Sequence, residues 1–404
     1  MEQDACCEEA TLTDSLPGRP ASCLSGSSSC WQKLKREIIE ALPELGIDKL
    51  GFASADPFLE LKDRLLRQRA EGRESGFEEP DIDKRVTPGL LLPGARSILS
   101  VAVAYPSRLP SPPRSEPGAY RGIFARSAWG QDYHLVLKNR MDRLAAFIRE
   151  RVPDVRLESM TDTGALSDRA AAERAGVGWS GKNCSIITPE FGSWVYLGEM
   201  ITNIPFQPDR PIEDSCGDCT LCMDACPTSA FVGPGQLDAK RCISYLTQTK
   251  ELIPVEFREK IGNRLYGCDT CQQVCPHNKG KSFSRHPELV PDPEQVKPLL
   301  LPILAMSNKQ FKAVFGRNAA AWRGRRPVQR NAVQALGIFR DMAALPRLRE
   351  IMNTDERSEL RATAAWSMGR IGGPEAQEAL LAAAVQEKDE EVMAEIRRAL
   401  EGLE

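Results

Sequence analysis

CGDCTLCMDACP at residues 216–227 and CDTCQQVCP at residues 268–276 are the stretches around which the chain is organised. The first spaces its thiols C-x2-C-x2-C-x3-C-P, the bacterial iron–sulfur run, whose fourth cysteine crosses to the other cluster when there are two. The second repeats the run without its first cysteine, and Cys242, upstream, supplies the missing thiolate. By the crossing rule Cys216, Cys219, Cys222 and Cys275 hold one [4Fe–4S] cluster, and Cys226, Cys242, Cys268 and Cys271 hold the other. Paired C-x2-C motifs also suit zinc, but three cysteines in seven residues, then Cys-Pro and a near-repeat, fit cubane clusters better. A disulfide framework belongs to small secreted domains, whereas this chain has 404 residues and no export signal.

The composition is that of an ordinary folded protein, 42% hydrophobic and 27% charged, with a formal net charge of −3. Nothing global points to nucleic acid, so any such surface must be local. No apolar run is long enough to span a membrane. Residues 1–30, with Cys6, Cys7, Cys23 and Cys30, lack a signal core and a twin-arginine motif and read as a disordered extension. The chain is therefore expected in the cytoplasm, where thiols stay reduced.

Apolar periodicity predicts a helix over 31–46, a strand over 49–53, a helix over 58–69 and a buried strand over 97–104 (SILSVAVA). A loop with five prolines over 106–120 leads to a long helix over 129–151. A strand over 155–160, a short helix over 170–175 and strands over 185–188 and 194–197 follow. This mixed order predicts an α+β domain over 31–205. A ferredoxin-like segment over 206–285 comes next. VQRNAVQALG (328–337), LRATAAWSMG (360–369) and VMAEIRRALE (392–401) then align with a period of 32, with small residues Ala335, Ser367 and Ala399 at the eighth position. That period predicts an all-α repeat domain of HEAT type over 286–404.

Gly176-x-Gly178-x-x-Gly181 matches the dinucleotide fingerprint in letters only, because a helix precedes it and a strand follows. These glycines either let backbone approach something flat and large or make the helix-to-strand turn. Asp132-x-His134 begins like a cobalamin axial-histidine motif, but Leu137 replaces the glycine and the pattern falls inside a predicted helix. His134 is accordingly expected to be an ordinary helical residue. Asp162 and Asp168 flank a turn at Gly164; one is a candidate general acid, and the alternative is that Asp162 and Thr163 cap the next helix. Between Glu294 and Asp341 there is no acidic residue, while Lys312, Arg323, Arg325, Arg326 and Arg330 fall there with other bases. In an acidic chain that block is expected to contact a phosphate backbone.

Taken together, FEEPDIDKRVTP (77–88), FARSAWGQDYH (124–134), DTGALSDRAAAERAGVGWSGKN (162–183), the cysteine segment and WRGRRPVQRN (322–331) resemble the epoxyqueuosine reductase family over about residues 31–404. These are the cobalamin- and iron–sulfur-dependent enzymes of tRNA queuosine synthesis. The resemblance implies reduction of the epoxide of epoxyqueuosine, already in tRNA, to the alkene of queuosine. Electrons would pass through both clusters to base-off cobalamin, giving cob(I)alamin beside the substrate, with the Cys216 group the nearer cluster. Asp162 would be the proton donor, its carboxyl raised by burial. Arg85, Ala125, Asp162, Lys182, Asn183 and Ser244 lie in the segments matching the cofactor pocket, and Ala125 stands where some members carry a cysteine. The implied partners are tRNA carrying epoxyqueuosine and an external flavodoxin- or ferredoxin-type electron donor, with no membrane and a monomeric chain.

The competing reading is another corrinoid iron–sulfur reductase of the reductive dehalogenase kind. Those enzymes are usually exported by a twin-arginine signal and lack a basic solenoid, and here the opposite holds. An electron carrier fused to a scaffold leaves 31–205 without a purpose.

Overall fold

The computed structural model describes residues 28–403. The expected disordered extension therefore lies outside the described residues up to 27. Its last three residues do not belong to it, since helix α1 runs Ser28–Leu45 and buries Trp31, Leu34, Ile38 and Leu45 along one face. Burying Trp31 requires a helical turn ahead of it, which carries the start back from 31.

The chain packs as two compact units rather than as three successive segments: Met1–Ala104 with His134–Cys219, and Tyr105–Tyr133 with Thr220–Glu404. The first unit is built on four strands, β1 (Lys49–Ser54), β2 (Ser97–Ala104), β3 (Leu157–Met160) and β4 (Val195–Thr202), in the order β1-β2-β4-β3 and antiparallel throughout. All eight residues of SILSVAVA are buried because β2 has a strand on each edge and cover on both faces. β4 runs five residues beyond the expected end at 197, since pairing with β2 continues to Ser97↔Thr202.

Helices α2 (Leu59–Ala70), α3 (Tyr133–Arg151) and α4 (Asp168–Arg174) complete the frame of this unit. α3 starts at Tyr133, not at 129, because Gly130 sits at φ +70° in a turn that ends any helix. Along β4, residues 195, 197 and 201 project into one apolar core with Ile98 and Ala102 of β2 and with Ala171, Ala172 and Ala175 of α4. The fully buried Ile98 and Ile201 each contribute about 1.5–3 kcal/mol on burial, the alanines less.

In the second unit, Ile123–Phe124 pairs in parallel with Arg264–Tyr266, and Phe124, Ala128 and Leu265 join the core of the repeat helices. This is why residues 105–133 leave the α+β segment in which the sequence had placed them. The repeat helices are α5 (Arg325–Phe339), α6 (Leu345–Thr354), α7 (Ser358–Ile371), α8 (Pro374–Gln386) and α9 (Glu390–Glu401). The period of 32 has a steric basis. A Cβ added to Gly337 would lie 2.7 Å from Ser367 Cα, and one added to Gly369, one period on, would lie 2.7 Å from Ala399 Cβ. The small residues that define the repeat are the crossing points of α5 on α7 and of α7 on α9. Among the described residues no helix is long and apolar enough to cross a membrane.

Candidate active site and cluster-binding segment

The turn DTGALSD, which connects β3 to α4, brings the titratable groups of the first unit together. Asp162 holds left-handed backbone at φ +44°, its side chain 60% exposed. It does not cap α4; Ser167 occupies the N-cap position, and Ser167 N–H donates to Arg85 O at 3.2 Å. The Asp162 amide donates instead to Asp168 Oδ2 at 2.9 Å. The carboxylate of Asp162 lies 3.5 Å from His134 Nε2, in the first turn of α3. His134 is thus not the ordinary helical residue expected from the sequence, because the helix begins just before it and aims its ring at the turn.

The expected burial of Asp162 is not found. The buried acids of this site are Asp168 and Glu199. Burial first, then Asp162 among nearby charges, pushes the Asp168 carboxyl up to about 6. Burial, and then Asp168, holds the carboxyl of Glu199 well above the usual range. Glu199 escaped sequence reading, although a signal existed. VYLGEMIT places a charge in the inward phase of a strand, between Leu197 and Ile201 of the apolar face.

Around this turn stand most of the expected pocket residues. Arg85 is half-buried, its Nη1 has no hydrogen-bond partner, and its guanidinium is held below the usual value chiefly by burial. Arg169 Nη1 donates to Cys184 O at 2.6 Å, which fixes the neighbouring Asn183. Asn183 is buried; its Oδ1 accepts from Ser185 N–H, and its Nδ2 has no partner. Lys182 Nζ donates to Gly217 O, inside the Cys216–Cys219 loop. Gly176 ends α4 at φ +68°, and a Cβ at Gly178 would lie 2.4 Å from Ile187 O. Of the two roles considered for these glycines, the helix-to-strand turn is the one the backbone shows.

Ala125 and Ser244 belong to the second unit. Ala125 is buried against Gly267, where an added Cβ would come within 2.5 Å. Ser244 starts the turn after Cys242, and its Oγ and carbonyl both accept from Gln248 Nε2.

Of the eight cluster cysteines, Cys216 and Cys219 close the first unit and the other six lie in the second. The two runs fold alike, each with one helical turn, Leu221–Asp224 and Thr270–Gln273, before its Cys-Pro. Cys271 is raised by burial and by the thiols of Cys242, Cys268, Cys222 and Cys226, so these sulfurs gather at one place. Burial, countered by Ser244 and Tyr245 backbone donors, pushes Cys242 up to about 11. Buried thiols that repel one another in this way suit a cationic iron core, which takes them as thiolates. Donors to sulfur are present: Ala230 N–H reaches Cys226 Sγ at 3.3 Å, and Thr270 Oγ1 is 3.3 Å from Cys268 Sγ. Arg126 braces the second run, donating from its amide and Nη1 to the buried Asp269 Oδ2 at 3.0 and 2.8 Å.

The basic block divides. Lys312 is exposed, Arg323 stacks 5.0 Å from the half-exposed Trp322 ring, and Arg325 donates to Met306 O. Arg326 is paired with Glu359 at 2.5 Å. Arg330 cannot meet a phosphate, because it is 1% exposed and donates to the carbonyls of Leu246, Thr249 and Glu251.

Family models match residues 85–163 as epoxyqueuosine reductase QueG, residues 215–278 as a 4Fe-4S double cluster binding domain and residues 320–401 as HEAT repeats. An epoxyqueuosine reductase of Bacillus cereus is 59% identical over 371 residues, covering 92% of this chain and 98% of that one. A solved epoxyqueuosine reductase bound to an epoxyqueuosine-modified tyrosine tRNA stem loop superposes with a TM-score of 0.91 at 59% identity, covering 92% and 99%. A Bacillus subtilis one, solved with the catalytic loop of an aspartate swung out of the active site, gives 0.91 at 58%, covering 93% and 100%. With the cysteine segment, the aspartate turn and the repeats all in place, and with identity running over nearly the whole of both chains, this chain belongs to the epoxyqueuosine reductase family.

Proposed function

We propose that the chain performs the last step of queuosine synthesis, reducing the epoxide of epoxyqueuosine in tRNA to the alkene of queuosine. Two electrons and two protons enter, both C–O bonds break, and water leaves. The observation that carries this reading is 59% identity over nearly the full length of a relative solved with the modified stem loop. Nothing favours a dehalogenase-like activity over it.

Cys216, Cys219, Cys222 and Cys275 would hold one [4Fe–4S] cluster, and Cys226, Cys242, Cys268 and Cys271 the other, as the electron path from an external flavodoxin- or ferredoxin-type donor. A corrinoid suits the first unit. Arg85 Nη1, which has only a long 3.9 Å ion pair to Glu74, and the buried Asn183 Nδ2 make no hydrogen bond and are donors that its acceptor-rich amide rim would satisfy. Arg85, Asn183 and Lys182 of that unit would hold it base-off, since His134 already faces Asp162. When bound, the corrinoid supplies low-potential two-electron chemistry at the epoxide.

Asp162 holds the proton for the leaving oxygen, which departs poorly as an alkoxide. Its carboxyl is exposed, so the modified base must cover it before burial can raise its proton affinity. His134 orients the carboxyl. Lys312, Arg323 and Arg325, with a lesser share from Arg326, would meet the RNA backbone. The chain would act as a cytoplasmic monomer.

The test is anaerobic reconstitution with iron, sulfide and cobalamin, followed by single turnover on an epoxyqueuosine stem loop with a chemical reductant. The expected product is queuosine, from protein holding about eight irons as two four-iron clusters. Recovery of unchanged epoxyqueuosine from fully loaded protein would overturn the reading.

A further inference from the structure

The Asp168–Glu199 pair has no role in the chemistry above, and its placement calls for one. Glu199 lies at the centre of β4, directly across from Ser100 on β2 and Met160 on β3, and is 0% exposed. Both its carboxyl oxygens and Asp168 Oδ1 are buried, with no partner except each other. Two carboxylates that meet through oxygens shut off from water cannot both be charged. Asp168 Oδ2, the remaining oxygen, accepts the amide of Asp162, whose left-handed backbone is strained for a non-glycine residue and must be held by its surroundings.

We propose that Asp168 and Glu199 share one proton and together form a buried latch that holds the Asp162 turn in its catalytic position. Glu199 donates to Asp168, which is left as the acceptor for Asp162 N–H. Both are positioning residues, and the inference rests on Asp162 being the acid. Asp162 and Arg169 face Asp168 from its own turn and helix, Asp162 and Asp168 face Glu199, His134 of α3 faces Asp162, and β2 contributes the neutral Ser100 hydroxyl. Raising the pH removes the shared proton and leaves two buried charges in contact. Their repulsion is relieved when Asp168 moves outward and releases the Asp162 amide, which frees the turn.

The test is amide hydrogen exchange of residues 161–168 in the full chain without substrate, corrected for intrinsic rates. Protection in the unmodified protein should fall by about tenfold or more, the equivalent of 1.4 kcal/mol, as the pH rises through the pair's titration. Glu199→Gln keeps the donor and removes the titration, so its protection should not depend on pH. Asp168→Asn should behave alike, its amide donating to a Glu199 carboxylate, and guards against one variant failing to fold. pH-independent protection in the unmodified protein, or an unchanged dependence in both variants, overturns the latch. Because no turnover is measured, a failure of the proposed reaction leaves this result interpretable.

Discussion

Buried charge is handled in opposite ways in the two units. In the second unit Arg330 is wholly enclosed, yet its donors meet three backbone carbonyls, the Thr249 hydroxyl and Asn331 Oδ1, while Asn331 reaches Thr247 O and Leu265 O at 2.8 Å. Arg258, beside it in the sequence of braces, pairs with Glu395 at 2.5 Å, both nearly inaccessible. Burial lowers Arg330 to about 9 and Arg258 to about 10, and both remain charged at neutral pH. In the first unit Glu199 is equally enclosed, but its carboxyl meets only Asp168, whose other oxygen accepts the Asp162 amide. A satisfied buried charge fixes architecture at any ordinary pH, here by bolting the chain between Cys242 and Cys268 to α5. A pair short of partners is poised on one proton, and it sits under the catalytic turn.

The largest effect should come from neither set. Asp162→Ala should lower single-turnover rate by about 10²–10⁴-fold while cluster content and stem-loop affinity stay unchanged. Full activity would shift the acid to Asp168 or to water. Arg330→Met should then show what a satisfied charge is worth. Its carbonyl partners lose their donor in a dry interior, and the second unit should lose about 3–5 kcal/mol in denaturant unfolding, with no dependence on pH between ~6 and ~8. A loss confined to RNA binding would contradict its structural role.

The carboxyl pair should give a smaller and pH-dependent change. Folded Asp168 and Glu199 bind protons more tightly than the unfolded chain, so stability falls as pH rises from the ordinary carboxylate range through the raised values of the pair, about 6 for Asp168. Glu199→Gln should remove on the order of 2 kcal/mol of that decline, measured by urea unfolding across pH. Equal slopes for both proteins would make the pair inert. The smallest effect is on the surface. Neutralising Lys312 and Arg323 together should flatten the salt slope of stem-loop binding by about one per phosphate contact, whereas Arg326→Ala, already paired with Glu359, should change it less.

What could be read from the sequence followed from local spacing. The cysteine runs needed only their intervals, and the repeat was visible because Gly337 and Gly369 must face Ser367 and Ala399 one period apart. SILSVAVA announced a strand covered on both sides. Long-range placement was not legible. Arg330 looked like a surface base because nothing in its neighbours states that the carbonyls of residues 246–251 will close over it. Residues 105–133 looked like part of the first domain until pairing of Ile123–Phe124 with Arg264–Tyr266 moved them to the other unit. Asp162 was found through its motif, but its exposure, and the burial of Asp168 and Glu199 behind it, depend on how α4 lies on the sheet.

In the proposed reaction this chain turns epoxyqueuosine into queuosine in tRNA with Asp162 as the acid. The decisive measurement is mass analysis of tRNA nucleosides from a host lacking the gene, complemented with the unmodified chain or with Asp162→Ala. Queuosine should be restored by the unmodified chain, and epoxyqueuosine should accumulate both without it and with the variant; normal queuosine in the deleted host would rule this reaction out.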